Sequence, residues 1–183
     1  MTTTSFARSA LALIAAFFAL AGVAEAASKE KIDRRVNNAL AEFKEDISGA
    51  KDLLARAEGV LVFPSVKKAG IGVGGEYGEG ALLIRGKTVD YYSTAAASIG
   101  FQLGAQARTQ ILVFLEKGAL DKFRNSDGWE IGVDGSVAVV TLGTGGAIDT
   151  TSLNAPIVAF VFNNKGLMYN LSLEGSKISK IHR

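Results

Sequence analysis

Between Lys29 and Ile47 the apolar residues recur at helical spacing, with Ile32, Val36, Ala39, Leu40, Phe43 and Ile47 on one face. Ser28 stands where an N-cap belongs and Ser48-Gly49 where the helix should stop. Asp52–Glu58 continues as a short second helix with Leu53, Leu54 and Ala57 inward. After Gly59 the period changes to that of strands. Val60–Phe63 is a short apolar strand halted by Pro64, followed by Ala69–Val73, Gly80–Ile84 and Val89–Tyr92. Ser98–Ala107 alternates, with Ile99, Phe101, Leu103, Ala105 and Ala107 on one face. Ile111–Leu115 is apolar on both, as in a central strand. A short helix is expected at Gly118–Asn125. Strands are expected at Trp129–Val133, Ser136–Leu142, Ile157–Phe162, Leu167–Leu173 and Lys177–Ile181, with turns at 163–166 and 174–175. The pattern predicts an α+β fold: N-terminal amphipathic helices packed on a strongly curved, mostly antiparallel, glycine-rich β-sheet or barrel.

The first 26 residues break this pattern. Arg8 precedes an uninterrupted apolar run, Leu11–Ala21, and Ala24-Glu25-Ala26 puts small residues where a signal peptidase reads. A membrane span wants about 20 apolar residues, and Ala10–Ala24 is shorter than that. We therefore expect 1–26 to be a signal peptide and 27–183 to form one domain, periplasmic or secreted after cleavage.

Composition mainly excludes. A net charge of +2 is too small for a nucleic-acid binder, whose affinity comes from neutralising many phosphates. There is no cysteine, so disulfides and thiolate metal sites are absent. The one histidine, His182, is the next-to-last residue, which removes histidine-based triads and multi-histidine metal sites. Gly70-x-Gly72-x-x-Gly75 matches a dinucleotide fingerprint, but no helix follows to hold a pyrophosphate. Glu76 and Glu79 sit beside glycines and read as solvated turn acids. Asn125–Gly128 lacks the acidic ladder of a calcium loop. No catalytic residue, metal or cofactor is expected.

Two features remain. All but two of the 21 glycines follow Glu58, and Gly70, Gly72, Gly74 and Gly75 leave one strand open to close approach, by the domain's own elements or by a ligand in a groove. The first helix opens with Lys29, Lys31, Arg34 and Arg35, and Lys67-Lys68 and Arg85/Lys87 make further small basic turns. Its apolar stripe has two possible uses, docking on the sheet or lying on an anionic membrane.

Phe63-Pro64-Ser65-Val66-Lys67-Lys68-Ala69-Gly70, then Gly74-Gly75-x-x-Gly78-x-Gly80, resembles the SYLF domain family. So do Gly100-x-Gln102-x-Gly104-x-Gln106 and the closing Lys165-Gly166-Leu167…Ser172-Leu173-Glu174-Gly175. The resemblance spans about residues 30–182. It implies a non-enzymatic lipid-binding module, tied in eukaryotic members to phosphoinositide membranes through an N-terminal amphipathic helix, and in some to actin. Tyr169-Asn170 and Met168 depart from the eukaryotic pattern and look more like an exported bacterial branch, for which actin is not an expected partner. The expected partner is an anionic phospholipid or membrane surface, met by Lys29, Lys31, Arg34, Arg35, Lys67 and Lys68. The alternative is a periplasmic protein-interaction module using a sheet face around Gln102, Gln106 and Arg108.

Overall fold

The computed structural model describes residues 28–141, 154–166, 173 and 175–183, apart from the side chains of 71–73, 98–104, 164 and 166. The expected signal peptide and nearly all of the strand expected at Leu167–Leu173 lie outside these residues.

The elements are α1 (Lys29–Asp46), α2 (Ala50–Ala55), β1 (Gly59–Ile84), β2 (Lys87–Phe114), α3 (Lys117–Arg124), β3 (Trp129–Glu130), β4 (Val137–Thr141), β5 (Ile157–Gly166) and β6 (Lys177–Ile181). β1 and β2 form one long antiparallel hairpin, from Gly59 opposite Phe114 to Ile84 opposite Lys87. The free edge of β2 carries β6 against Tyr91–Ala95 and β5 against Gln106–Phe114. β3 extends the sheet beyond β6, and β4 lies parallel to β5. The sheet is therefore mixed, with one parallel pair among otherwise antiparallel ones, and the architecture is α+β as expected.

The short strands expected between Val60 and Tyr92 are pieces of this hairpin. Pro64 does not end the first of them. Register shifts between Phe63 and Val66, so the residue without an N–H falls in a bulge and pairing resumes. Glu76–Gly80, expected as turn, is strand as well. Asn163 and its neighbours, also expected as turn, stay within β5. Asn163 takes a positive φ of 55° where the register of β5 on β2 breaks between Ala107 and Thr109.

Alternation along the central strands fills two apolar layers. Val60, Val62, Ile111, Val113, Val158 and Phe160 face α1 and α2, whereas Leu61, Phe63, Leu112, Phe114, Ala159 and Val161 face α3 and Trp129. Phe43 meets Phe160 at 5.1 Å in the first layer. In the second, Phe123 touches Tyr92, Phe114 and Trp129 at centroid separations of 4.9, 5.0 and 5.6 Å. Such ring pairs add about 0.5–1.5 kcal/mol each beyond burial.

β1 also curls until its second half lies against its first. A Cβ built on Gly80 would stand 2.0 Å from the Val62 carbonyl oxygen, and one on Gly78 would stand 2.8 Å from Val66 Cγ2. Only glycine permits that crossing. Glu76, in the second half of β1, is joined to Arg108 of β2, which pairs with Val66 of the first half, and their side chains are 4% and 1% exposed. Arg108 Nη2 donates to both Glu76 oxygens, at 3.0 and 2.9 Å, and Ser176 Oγ donates to Oε1 at 3.3 Å. With its amide turned to face the guanidinium, Gln110 accepts from Arg108 Nε and Nη2 at 2.9 and 3.0 Å. Glu76 is thus not a solvated turn acid; it is a buried anion held by a buried cation.

Removing one partner of a buried pair strands the other charge. Glu76→Ala or Arg108→Ala should each lower unfolding free energy by about 3–5 kcal/mol in urea titrations. An apolar pair, Glu76→Leu with Arg108→Met, should recover most of that loss. Gly80→Ala should cost about 3 kcal/mol or more through overlap with Val62, and Gly75→Ala should stay within about 0.5 kcal/mol. The added Cβ at Gly75 has Ala96 O at 3.9 Å as its nearest neighbour.

Candidate functional site

Helix α1 starts where its sequence says it should. The Ser28 hydroxyl accepts from the Lys31 N–H at 3.3 Å, satisfying one of the free amides of the first turn. The backbone amide of Glu30 itself, and then that hydroxyl, hold the exposed Glu30 carboxyl below its ordinary value. Ile32, Val36, Ala39 and Phe43 are buried under the helix, so the apolar stripe is used in docking on the sheet. Polar contacts fix the docked position. Asp33 accepts from Thr88 Oγ1 and the Tyr91 hydroxyl, each at 2.9 Å, and Glu42 accepts from Asn163 Nδ2 at 2.6 Å.

What α1 shows to solvent is charge. Lys29, Lys31, Arg34 and Arg35 are all exposed on its opening turns, with Glu42, Glu45 and Asp46 near its end. Charges of both signs stand at each end, Glu30 with Lys29 and Lys31 in the first turn and Lys44 with Glu45 and Asp46 in the last, so the helix macrodipole is only partly complemented. Among the described residues none of the four is in an ion pair, whereas Arg108, Lys117, Arg124, Lys180 and Arg183 all are. Lys31, Arg34 and Arg35 lie within about 100° of one another around the helix, and Lys29 lies apart from them beside Glu30.

Lys67 and Lys68 do not form a basic turn. They are consecutive residues of β1, and the two-residue period of a strand sends them to opposite sides: Lys67 is exposed and Lys68 is 9% exposed. Lys67 joins the helix. It lines a shallow groove of about 290 Å³ with Arg35, Pro64, Ser65 and Thr109, on whose wall Glu42 also lies. Gly70, Gly72, Gly74 and Gly75 are all strand residues paired with β2 or next to its register shift. The closest backbone approach of β1 occurs a little later, at Gly78 and Gly80.

The interaction surface read around Gln102, Gln106 and Arg108 needs correction. Gln106 and Arg108 are 4% and 2% exposed, while Ala105 before them is exposed and Ala107 between them is half-buried. The polar side of this strand faces inward because Glu76 requires partners there, and the small side faces out. The Gln102 side chain lies outside the described ones. A signal for this was present: Arg108 ends an uncharged run that begins after Asp90, and Glu76 alternates with Gly74, Gly78 and Gly80.

Among the described residues, no cluster of three or more histidines, cysteines and acids is placed to hold a metal, and no helix is long and apolar enough to cross a membrane. Asn125 and Ser126 cap α3, with Ser126 Oγ donating to the Phe123 carbonyl at 2.8 Å. Asp134 accepts from the Glu130 N–H at 2.7 Å. These acids and amides shape turns.

Residues 95–182 match the family model Ysc84, described as Las17-binding protein actin regulator. This is the SYLF family. Over those residues the chain is similar to it. No curated protein matches the chain. The SYLF family is one of binding domains, in keeping with a site made of exposed cations and grooves. The match begins at Ala95, in the middle of β2. The SYLF stretch is therefore tied to what precedes it by the pairing of β1 along β2 and by the Glu76–Arg108 pair.

Tyr91 makes the docking of α1 sensitive to alkali. Burial, reinforced by its hydrogen bond to Asp33, pushes its hydroxyl from 10.0 up to about 12. Below pH 10 the hydroxyl is protonated in folded and unfolded chains alike and its contribution is intact. Between pH 10 and about 12 the unfolded chain ionises first, so stability should fall as pH rises through that window. Tyr92, also pushed to about 12, loses stability over the same range. Tyr91→Phe should reduce the slope, measured by urea unfolding at stepped pH, and leave Tyr92's share.

Proposed function

We propose that this is a non-enzymatic protein of the bacterial envelope that rests on anionic lipid through the exposed bases of α1. The observation carrying the reading is the exposure of Lys29, Lys31, Arg34 and Arg35 on the opening turns of α1, none of them in an ion pair among the described residues. Arg35 and Lys67 extend this set of bases onto β1. Lys68, buried, is not part of the contact surface. The apolar stripe of α1 is occupied by the sheet, so the contact is peripheral and electrostatic, without insertion of that stripe. Residues 1–26 would direct export and be removed after Ala26, leaving the protein in the periplasm or outside the cell, where anionic phospholipid rather than actin is the available partner.

Each base near an anionic surface contributes about 1 kcal/mol, and the attraction fades with salt. The purified protein should float with anionic vesicles at low salt, less at moderate salt, and not with zwitterionic ones. Reversing Lys29, Lys31, Arg34 and Arg35 to glutamate should abolish flotation and leave circular dichroism unchanged, since all four are exposed. Equal flotation with zwitterionic vesicles, or undiminished flotation of the variant, would refute the reading.

A further inference from the structure

Away from those bases, α1, α2 and the β1–β2 turn enclose a second feature. A groove of about 390 Å³ has Leu40, Leu54, Ala57 and Leu83 along its floor and Lys44 and Arg85 at its rim. It is continuous with a hollow of about 340 Å³ that shares Leu40, Lys44 and Leu83 and adds Lys51 to the rim, with Glu45 as the one acid. Leu40, Leu54 and Ala57 are only partly buried, so the floor keeps apolar surface in contact with water. Volumes of this order suit small ligands, which bind in mostly apolar hollows with a few charged groups fixing orientation.

The turn carries an independent sign. Ile84 pairs with Lys87, leaving Arg85-Gly86 as a two-residue connection with φ of 52° and 75°. Both central residues are left-handed, as a type I′ turn requires, and asparagine followed by glycine is the favoured pair. Arginine there is a non-glycine residue in a disfavoured conformation. The local geometry gains nothing from a guanidinium; the rim of the groove gains a cation.

We infer that this groove holds one acyl chain of an anionic lipid, with the chain on Leu40, Leu54, Ala57 and Leu83 and the headgroup between Lys44 and Arg85. Charge complementarity selects the occupant: an apolar floor alone would take any chain, and a rim of three cations against one acid selects an anionic head. The inference rests on the reading of the chain as an anionic-lipid binder and adds a site outside the four helix bases. Surface bases gather the protein onto the membrane, and the groove takes a single chain there.

The probe is dodecyl phosphate below its micelle concentration, titrated calorimetrically into the purified protein. One molecule should bind per chain. Lys44→Gln and Arg85→Asn should each weaken binding about tenfold, as loss of a hydrogen bond to a charged group does. Arg85→Asn should at the same time raise the thermal midpoint, because it gives the turn its preferred residue. Ala57→Leu, which fills the floor, should weaken binding with the rim intact. The variant reversed at Lys29, Lys31, Arg34 and Arg35 should bind dodecyl phosphate as the parent does, so this site and the surface reading can fail separately. Equal binding of inorganic phosphate or of dodecylphosphocholine, or affinity unmoved by both rim variants, would overturn the inference.

Discussion

The crossing of β1 over itself is the constraint on which the rest of the molecule depends. A strand can pack that closely on its own beginning only where side chains vanish, and Gly78 and Gly80 supply the space against Val66 and Val62. Closure also buries the inner faces of both limbs, so whatever polar groups they carry must find partners inside. Glu76 of β1 and Arg108 of β2 do so, together with Gln110 and Ser176. Ser176 directly precedes β6, which brings the end of the chain into the same network.

That curl also decides how α1 is used. The layer formed by Val62, Ile111, Val113 and Phe160 leaves one apolar surface uncovered, and the stripe of α1 covers it. With Phe43 fully buried and Asp33 and Glu42 tied to Thr88, Tyr91 and Asn163, undocking the helix would expose apolar area and break three polar contacts together. The surface left to solvent is therefore charged, with exposed bases on its opening turns, and the groove beneath the C-terminal half of the helix combines a few apolar side chains with further bases. Both proposals draw on the same physics: anions are attracted to cations that the fold itself leaves unneutralised.

Much of the fold was legible because its signals are local. The period of α1, its Ser28 cap and the strand Lys177–Ile181 follow from neighbouring residues alone. Strand continuity was not legible. Proline and glycine ordinarily end strands, and only the partner strand, far away in sequence, shows that Pro64 lies in a bulge and that Glu76–Gly80 stays paired. The site was divided in the same way. Exposure of Lys29, Lys31, Arg34 and Arg35 follows from the helical period, and the separation of Lys67 from Lys68 required knowing that both lie in a strand. The inward turn of Gln106 and Arg108 depended on Glu76, thirty-two positions away from Arg108. Long-range electrostatics of that kind leaves only a faint trace in sequence, an isolated charge in an otherwise uncharged run.

The central claim is that α1 meets the membrane while still docked on its sheet. The chain has no cysteine, so a pair can be introduced at positions 33 and 88, whose side chains touch, and joined by a short bis-maleimide. Flotation of the crosslinked and uncrosslinked forms with anionic vesicles would then be compared. The account predicts equal flotation, because binding needs only the outward bases. Loss of flotation on crosslinking would contradict it and show that the helix must leave the sheet to bind.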